Sequence, residues 1–265
     1  MADAEVADEA TSPSAGSGLD QAQPWTRLAP DYEQYRSRED SLDRLVEWPA
    51  QREMIGDVAG RSVLDLGCGN GGKLIELTLD GAVDCVGIDI SGNFLAEPPA
   101  GLQLIQSDLS NLDSIAQLEG RKFDRITFLQ SFGYASDPVG TLKTSRAMLA
   151  REGFIVLSRT QPVRYALERA EENGTSLGEE YFSTAASYSY RSSWNDHITL
   201  TKRPYTMSDL INIFSAAGLW IEFALEPHLS EDAERRFPHK REWMNKYLGI
   251  LIFKLRPLPG NAVAS

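Results

Sequence analysis

Short apolar runs alternate with helical periods between residues 62 and 160. "SVLDLG" (62–67), "VDCVGIDI" (83–90), "LQLIQSDL" (102–109), "FDRITFLQSF" (123–132) and "GFIVLSRT" (153–160) have the length and β-branched content of strands. Between them, "KLIELTL" (73–79), "SNLDSIAQL" (110–118) and "TLKTSRAMLA" (141–150) read as helices; the last has Leu142, Met148 and Leu149 as its apolar positions. Short buried strands alternating with helices predict a parallel sheet covered on both faces.

The rhythm changes after Thr160. "VRYALERAEE" (163–172) predicts a helix ending near Asn173-Gly174. "SYSYRSSW" (187–194) and "HITLTKRPY" (197–205) alternate with period two and are joined by Asn195-Asp196, a hairpin signal. A continuous strand there would put Tyr188, Tyr190 and Trp194 on one face. Thr206 with Asp209 three residues on, then Leu210, Ile211, Phe214 and Ala217, then Gly218, mark a capped helix. "LWIEFALEP" (219–227) and "YLGILIFKL" (247–255) are the last strands, separated by a helix-poor connector and able to pair antiparallel at the sheet edge.

This pattern divides the chain. Residues 1–23 are small, polar and acidic and predict a disordered tail; residues 24–58 form a helical cap. Residues 59–160 and 206–257 make one ligand-binding domain, 161–205 are an insertion, and 258–265 are a C-terminal tail. A length of 265 residues suits one large domain with a subdomain. No run approaches the roughly 18 to 20 apolar residues of a membrane helix, and the N-terminus lacks the basic and apolar regions of a signal peptide. A cytoplasmic protein is expected.

Charge narrows the partners. The net charge is −12, and Asp3, Glu5, Asp8, Glu9 and Asp20 of the tail contribute to it. Such a balance disfavours a phosphate backbone, so no nucleic acid is expected. Cys68 and Cys85 lack CxxC spacing and read as reduced structural thiols. His197, His228 and His239 show no metal-ligand spacing, so no metal is expected.

The chemistry-bearing stretch is "VLDLGCGNGGKL" (63–74). Gly67, Gly69 and Gly72 satisfy a G-x-G-x-x-G turn, and Gly67, Gly69 and Gly71 a tighter G-x-G-x-G turn. Asp65, two residues before Gly67, would repel a pyrophosphate and suits a cationic or amino-bearing ligand. Asp89, 22 residues after Gly67, can accept both hydroxyls of a ribose. On these residues NAD and other nucleosides both remain open. Asp108 adds an acceptor for an adenine amino group, or caps the helix predicted over 110–118.

Taken together, "VLDLGCGNG", "GIDIS" and "QSDLSNL" resemble the class I S-adenosylmethionine-dependent methyltransferases, over roughly residues 25–256. The resemblance implies an α/β, Rossmann-like fold: a seven-stranded, mostly parallel sheet, its last strand antiparallel, with helices on both faces and an inserted helix and β-hairpin lid after strand 5. It implies S-adenosylmethionine as cofactor and S-adenosylhomocysteine as product. Asp65, Gly67, Cys68, Gly69, Asn70 and Gly71 would follow the methionine part of the cofactor, and Asp89 the ribose. Asp108 and Leu109 would meet the adenine edge, with Ile90, Phe94, Ser107, Leu129 and Gln130 among the cofactor contacts.

A narrower resemblance is to small-molecule enzymes of the ubiquinone/menaquinone and natural-product type. "LAPDYEQYR" (28–36) is similar to that group's first helix, with Tyr32 and Tyr35 reaching the methionine end and Arg36 as carboxylate partner. A helix that only packs on the sheet explains the same residues. Many relatives carry a histidine before the proline after strand 5; Gln161-Pro162 departs from this and puts a base there in doubt.

The insertion overhangs the crevice where ligands of such sheets bind. Tyr181, Phe182, Tyr188, Tyr190, Trp194 and Tyr205, with Gln161 and Tyr134, are the expected acceptor contacts. The same aromatics could instead bury in the core or in a homo-oligomer contact through the lid or cap. The expected function is methyl transfer to a small, apolar or ring-bearing acceptor, natural-product or quinone-like, within secondary metabolism. A base is needed only if the acceptor must lose a proton; His197, His239 and Tyr134 are the candidates, with His228. A non-methyl reaction such as cyclisation and a non-catalytic cofactor sensor are the alternatives. An NAD-dependent oxidoreductase shares the glycine spacing, but no Tyr-x-x-x-Lys pair follows the fourth strand, which makes it the less favoured alternative.

Overall fold

Alternation along each strand decides which face every residue covers. In a computed structural model that describes residues 19–94, 98, 100–183 and 187–259, Val63 and Leu64 of β1 (Ser62–Leu66) are both buried, on opposite faces of one sheet. Leu64, Val86, Ile126 and Ile155 pack under the 3-10 turns and helices of one side, and Val63, Cys85, Phe154 and Val156 under the other. Both faces are therefore dry, as the near-continuous apolar runs require.

The sheet has seven strands. β1 pairs in parallel with β2 (Asp84–Asp89) and β4 (Phe123–Leu129), β2 with β3 (Leu102–Gln106), and β4 with β5 (Leu149–Thr160). The order is completed by β9 (Ile250–Pro257) and β8 (Leu219–Leu225), giving β3-β2-β1-β4-β5-β9-β8. The last strand, β9, runs antiparallel between β5 and β8, and β8 takes the edge. This is the Rossmann-like arrangement expected. Strand order reverses between β1 and β4, so the ends of these strands open a crevice.

Helices α1 (Leu19–Arg36), α2 (Trp48–Ile55) and α3 (Gly72–Leu79) precede or follow β1, and α4 (Pro138–Ala147) lies between β4 and β5. The insertion folds as α5 (Pro162–Asn173), α6 (Leu177–Tyr181) and a separate hairpin of β6 (Tyr188–Arg191) and β7 (Thr199–Lys202). α7 (Met207–Ala216) follows; its N-terminus is closed by reciprocal bonds of Thr206 and Asp209. No helix among the described residues is long and apolar enough to cross a membrane.

Several elements differ from the expectation for identifiable reasons. α1 begins at Leu19, inside the segment expected as tail, while residues 1–18 lie outside the described residues. Residues 109–118 form two 3-10 turns instead of one helix, because Asp108 caps Ser110 and Asn111 leaves helical geometry. Residues 149 and 150 belong to β5: Phe123 donates its N–H to the Met148 carbonyl at 2.8 Å, and strand pairing overrides the helical period. The connector before β9 is helical, α8 (Glu231–Arg236) and α9 (Pro238–Tyr247); its apolar face is only Ala233, Trp243 and Met244, too narrow for a periodicity signal. The hairpin loop runs from 192 to 198, closed by Ser192 N–H to the Ile198 carbonyl, so Trp194 leaves the strand.

The hairpin pairs with no strand of the main sheet. Instead Leu200 and Ile198 bury against Leu28 of α1, with Trp25, Tyr32, Tyr190 and Trp194 around them. Leu28→Ala should therefore cost about 2–5 kcal/mol in urea unfolding and increase amide exchange in both α1 and β7. Exchange that rises in α1 alone would show that the hairpin is held by other contacts.

Candidate active site

The glycine loop is shaped by what lies beside it. Gly67 and Cys68 donate their N–H groups to the Ile88 carbonyl at 2.7 and 3.0 Å, fixing the loop to the end of β2. Gly67 has a φ of +86°, and a Cβ there would stand 2.2 Å from the Cβ of Ser131. Ser131 in turn donates its hydroxyl to the Leu66 carbonyl. The chain reaches Ser131 through Gln130, which has a φ of +70° and donates its N–H to the Ser158 carbonyl at 3.0 Å. The tips of β1 and β4 thus meet with only the Ser131 side chain between them.

The cleft above these tips holds about 900 Å³ of empty space, part of it open to solvent. Gly67, Gly69 and Asn70 form its floor, with Asp89 and Ile90 at the end of β2. Ser107, Asp108 and Leu109 after β3, and Leu129, Gln130 and Tyr134 at and beyond the end of β4, also line it as expected, and Tyr32 reaches it from α1. Sequence reasoning did not place Trp25, Ala29 and Glu33 of α1, Ile88, Ser91, Asn93 and Ser131 among the site residues, although all of them line the cleft. For α1 the signal was available: 25, 29, 32 and 33 share one helical face. Two hydrogen bonds set that face over the cleft, Thr26 Oγ1 to the Ser91 carbonyl at 3.1 Å and Asn93 Nδ2 to the Thr26 carbonyl at 2.9 Å.

The two strand-tip carboxylates differ. Asp89 accepts from Gly69 N–H at 2.8 Å, and from the N–H and hydroxyl of Ser91 at 2.9 and 2.7 Å. It braces the glycine loop while still facing the cleft, and each oxygen can accept more than one bond. Asp108 Oδ1 accepts from Ser110 N–H at 2.8 Å, so it caps the 3-10 turn and also lines the cleft.

Asp65 lies beneath the loop instead of in the cleft lining. It is 3% exposed and accepts from Thr127 Oγ1 at 2.6 Å; burial raises its pKa to about 6. Lys73 is near it and is held by Asp43 Oδ1 and Gln51 Oε1, both at 2.9 Å. Cys68 turns its thiol under Gly87, where burial pushes its pKa up, and it does not line the cleft. Gly71 starts α3 at a φ of +88°, and Phe94 packs on the helix-side core; neither lines the cleft. Arg36 is engaged by Glu33 at 3.0 Å and Asp43 at 3.2 Å, and Tyr35 lies under Arg38 and Lys240; both sit behind the lining.

The acceptor-side residues are dispersed. Gln161 is 6% exposed, caps α5 through Arg164 N–H at 3.1 Å and donates to Glu226 at 3.1 Å, which makes it a structural cap. Tyr205 stacks on Phe132 in the main core. Tyr181 accepts from Met207 N–H, and Phe182 beside it points to solvent; neither overhangs the cleft. Trp194 packs edge-on to Tyr32 at 4.7 Å, and Tyr190 places its hydroxyl 3.1 Å from that of Tyr134. The Tyr188 side chain lies outside the described residues. His197 is exposed beside Asp196 on the hairpin loop, His239 pairs with Asp40 from α9, and His228 lies near Glu234; none lines the cleft. Tyr134 is the one base candidate that does.

These residues fit an adenosylated amino acid. Gly69 leaves backbone open to the cleft beside the Glu33 carboxylate, which can meet an ammonium group, and Asp89 and Asp108 offer acceptors for ribose and purine donors.

The profile of the methyltransferase domain family matches residues 32–222. A protein of Haemophilus influenzae described as uncharacterized is 25% identical over 215 residues, covering 77% of this chain and 84% of that one. The ubiquinone biosynthesis O-methyltransferase of Acinetobacter baumannii is 27% identical over 116 residues, 40% of this chain and 46% of that enzyme, so the match spans about half its length. The crystal structure of an S-adenosylmethionine-dependent methyltransferase from Mesorhizobium loti superposes with a TM-score of 0.64 at 23% identity, over 79% of this chain and 97% of that one.

Asp65 supplies a pH signature. With its pKa raised from 3.8 to about 6, the folded protein holds a proton that the unfolded chain has released across that window. Its contribution to stability therefore falls as pH rises from about 4 to 6, by about 3 kcal/mol. Asp65→Asn should remove that slope, gaining stability relative to wild type at pH 7.5 and not at pH 4 in chemical denaturation. Parallel pH–stability curves for the two proteins would refute a raised pKa.

Proposed function

The chain belongs to the methyltransferase domain family and is a methyltransferase dependent on S-adenosylmethionine; from that premise we propose that its acceptor is a small organic molecule, apolar or ring-bearing, of the natural-product or quinone kind. The observation that carries this reading is the aromatic wall over one side of the cleft. Trp25 lies edge-on to Tyr134 at 5.5 Å and to Tyr32 at 5.9 Å, and Trp194 and Tyr190 extend the wall onto the hairpin. Flat apolar surface beside a few hydroxyls suits a ring.

The bound sulfonium supplies an already activated methyl group. What remains for the chain is positioning and exclusion of water. Asp89, which braces the loop through Gly69 N–H, would hold the ribose hydroxyls. Asp108 and Leu109 would receive the purine edge, and Glu33 the amino group of the methionine part. The aromatic wall keeps water from the nucleophile, and holding it in line with the methyl removes roughly 7–11 kcal/mol from the barrier. Tyr134, hydrogen-bonded to Tyr190, orients the acceptor hydroxyl or amine. Tyr190 is pushed up to about 12 by burial and stays protonated at neutral pH, so the pair acts by hydrogen bonding.

Calorimetry with S-adenosylhomocysteine should give a clear binding isotherm, and NADH none. Asp89→Ala should weaken S-adenosylhomocysteine ten- to a hundredfold, from loss of charge-assisted bonds worth about 1.5–3 kcal/mol. A metabolite screen with methyl-labelled cofactor identifies the acceptor by mass. Binding of cofactor with label never leaving it across ring-bearing metabolites would favour a non-methyl reaction such as cyclisation.

A further inference from the structure

The Glu33 carboxylate at the edge of the cleft is held from behind. A Cβ on Gly69 would stand 3.9 Å from Glu33 Oε1, so that oxygen lies over the glycine loop. On its own, a pair one helical turn apart holds a flexible carboxylate weakly. Here more stands behind it. Arg36 donates Nη1–H to Glu33 Oε1 at 3.0 Å and Nε–H to Asp43 Oδ2 at 3.2 Å. A guanidinium is a rigid plane, so fixing Nε also fixes the direction of Nη1. Its central carbon lies 5.5 Å over the Tyr32 ring.

The other oxygen of Asp43, Oδ1, accepts from Lys73 Nζ at 2.9 Å. Lys73 is in the first turn of α3, just past the glycine loop. Loop, Lys73, Asp43, Arg36 and Glu33 therefore form a closed circuit that returns to Gly69. Neither Asp43 nor Lys73 lines the cleft, and their side chains are each 12% exposed. Lys73 is braced in turn by Gln51 Oε1 at 2.9 Å, and Gln51 donates to the buried Ser158 hydroxyl at 2.8 Å. Asp43 also opens a π-helical turn, Asp43–Glu47, in which Trp48 donates its N–H to the Asp43 carbonyl. Such wide turns are rare and are frequent at functional sites. At the other end of this turn, Glu47 accepts from Nε2 of Gln130, which lines the cleft, at 3.4 Å.

We propose that Asp43 is a positioning residue for the ammonium group of the methyl donor: anchored by Lys73 to α3, it fixes the Glu33 carboxylate over Gly69 through the plane of Arg36. Two charge-assisted bonds hold Asp43 itself, one to each element it ties together. The inference rests on the reading that places the donor's ammonium against Glu33; Asp43 acts through that carboxylate and touches no ligand.

The test titrates the full chain calorimetrically with S-adenosylhomocysteine, which carries the amino acid end, and with methylthioadenosine, which lacks it. Asp43→Asn removes the charge at constant size. It should weaken S-adenosylhomocysteine about tenfold and leave methylthioadenosine within about twofold. Lys73→Met, which unties Asp43 from α3, should weaken S-adenosylhomocysteine with the same selectivity. A merely structural role would move both ligands, because a displaced glycine loop or a damaged fold loses the adenosine contacts too. In a Glu33→Gln background, Asp43→Asn should have no further effect on S-adenosylhomocysteine, since its route to the ligand is gone. Equal losses of both ligands, unchanged S-adenosylhomocysteine affinity in the Asp43 and Lys73 variants, or losses that add in the double variant would each overturn the inference. The ammonium assignment fails by a different result: Glu33→Gln alone would leave S-adenosylhomocysteine affinity unchanged, and the role of Asp43 would fall with it.

Discussion

The site depends on the close approach of the tips of β1 and β4, where the missing side chain of Gly67 leaves room for that of Ser131. Gly67 at the tip of β1 and Ser131 at the tip of β4 come so close that no Cβ fits on the glycine, and Ser131 ties the contact by donating to the Leu66 carbonyl. The crevice of a doubly wound sheet opens where strand order reverses, and here that point is between these strands. Gln130 adopts a left-handed backbone to deliver Ser131, a strain of order 1–3 kcal/mol that the pairing of Gln130 N–H with Ser158 helps to hold. The glycine loop, the Asp89 brace and the roof of α1 are all built outward from this junction.

Beneath the loop, Asp65, Asp43 and Glu47 surround Lys73 and Arg36 in a network closed by Gln51 and Ser158. Its carboxyl groups outnumber its cations, which suits a ligand carrying ammonium and sulfonium charge.

The parallel strands, the antiparallel last strand and the cleft floor were legible because a strand has one period and a glycine turn has one job. Spacing singled out Gly67, Gly69, Asp89 and Asp108, since adjacent β–turn–α units repeat the same geometry at each strand tip, while their cofactor roles came from the family resemblance. The acceptor side was not legible. Tyr205, Gln161 and Tyr181 look like lid residues in sequence, but tertiary packing gives each another partner: Phe132, the first turn of α5, and the start of α7. Trp194 was misassigned to a strand face because two polar residues imitate a tight hairpin turn, when the ladder ends at Arg191 and Thr199.

α1 contains Pro24 and Pro30, each of which removes a backbone donor from the helix. Its shape is therefore held more by the surfaces it touches than by its own ladder. Those surfaces are the rim residues Ser91 and Asn93 on one side and Leu200, Ile198 and Trp194 of the hairpin on the other. The same helix carries both sets of contacts, so whatever shifts α1 off the rim also strips the hairpin of its apolar seat: the roof of the cleft and the hairpin are tied through one weakly laddered element.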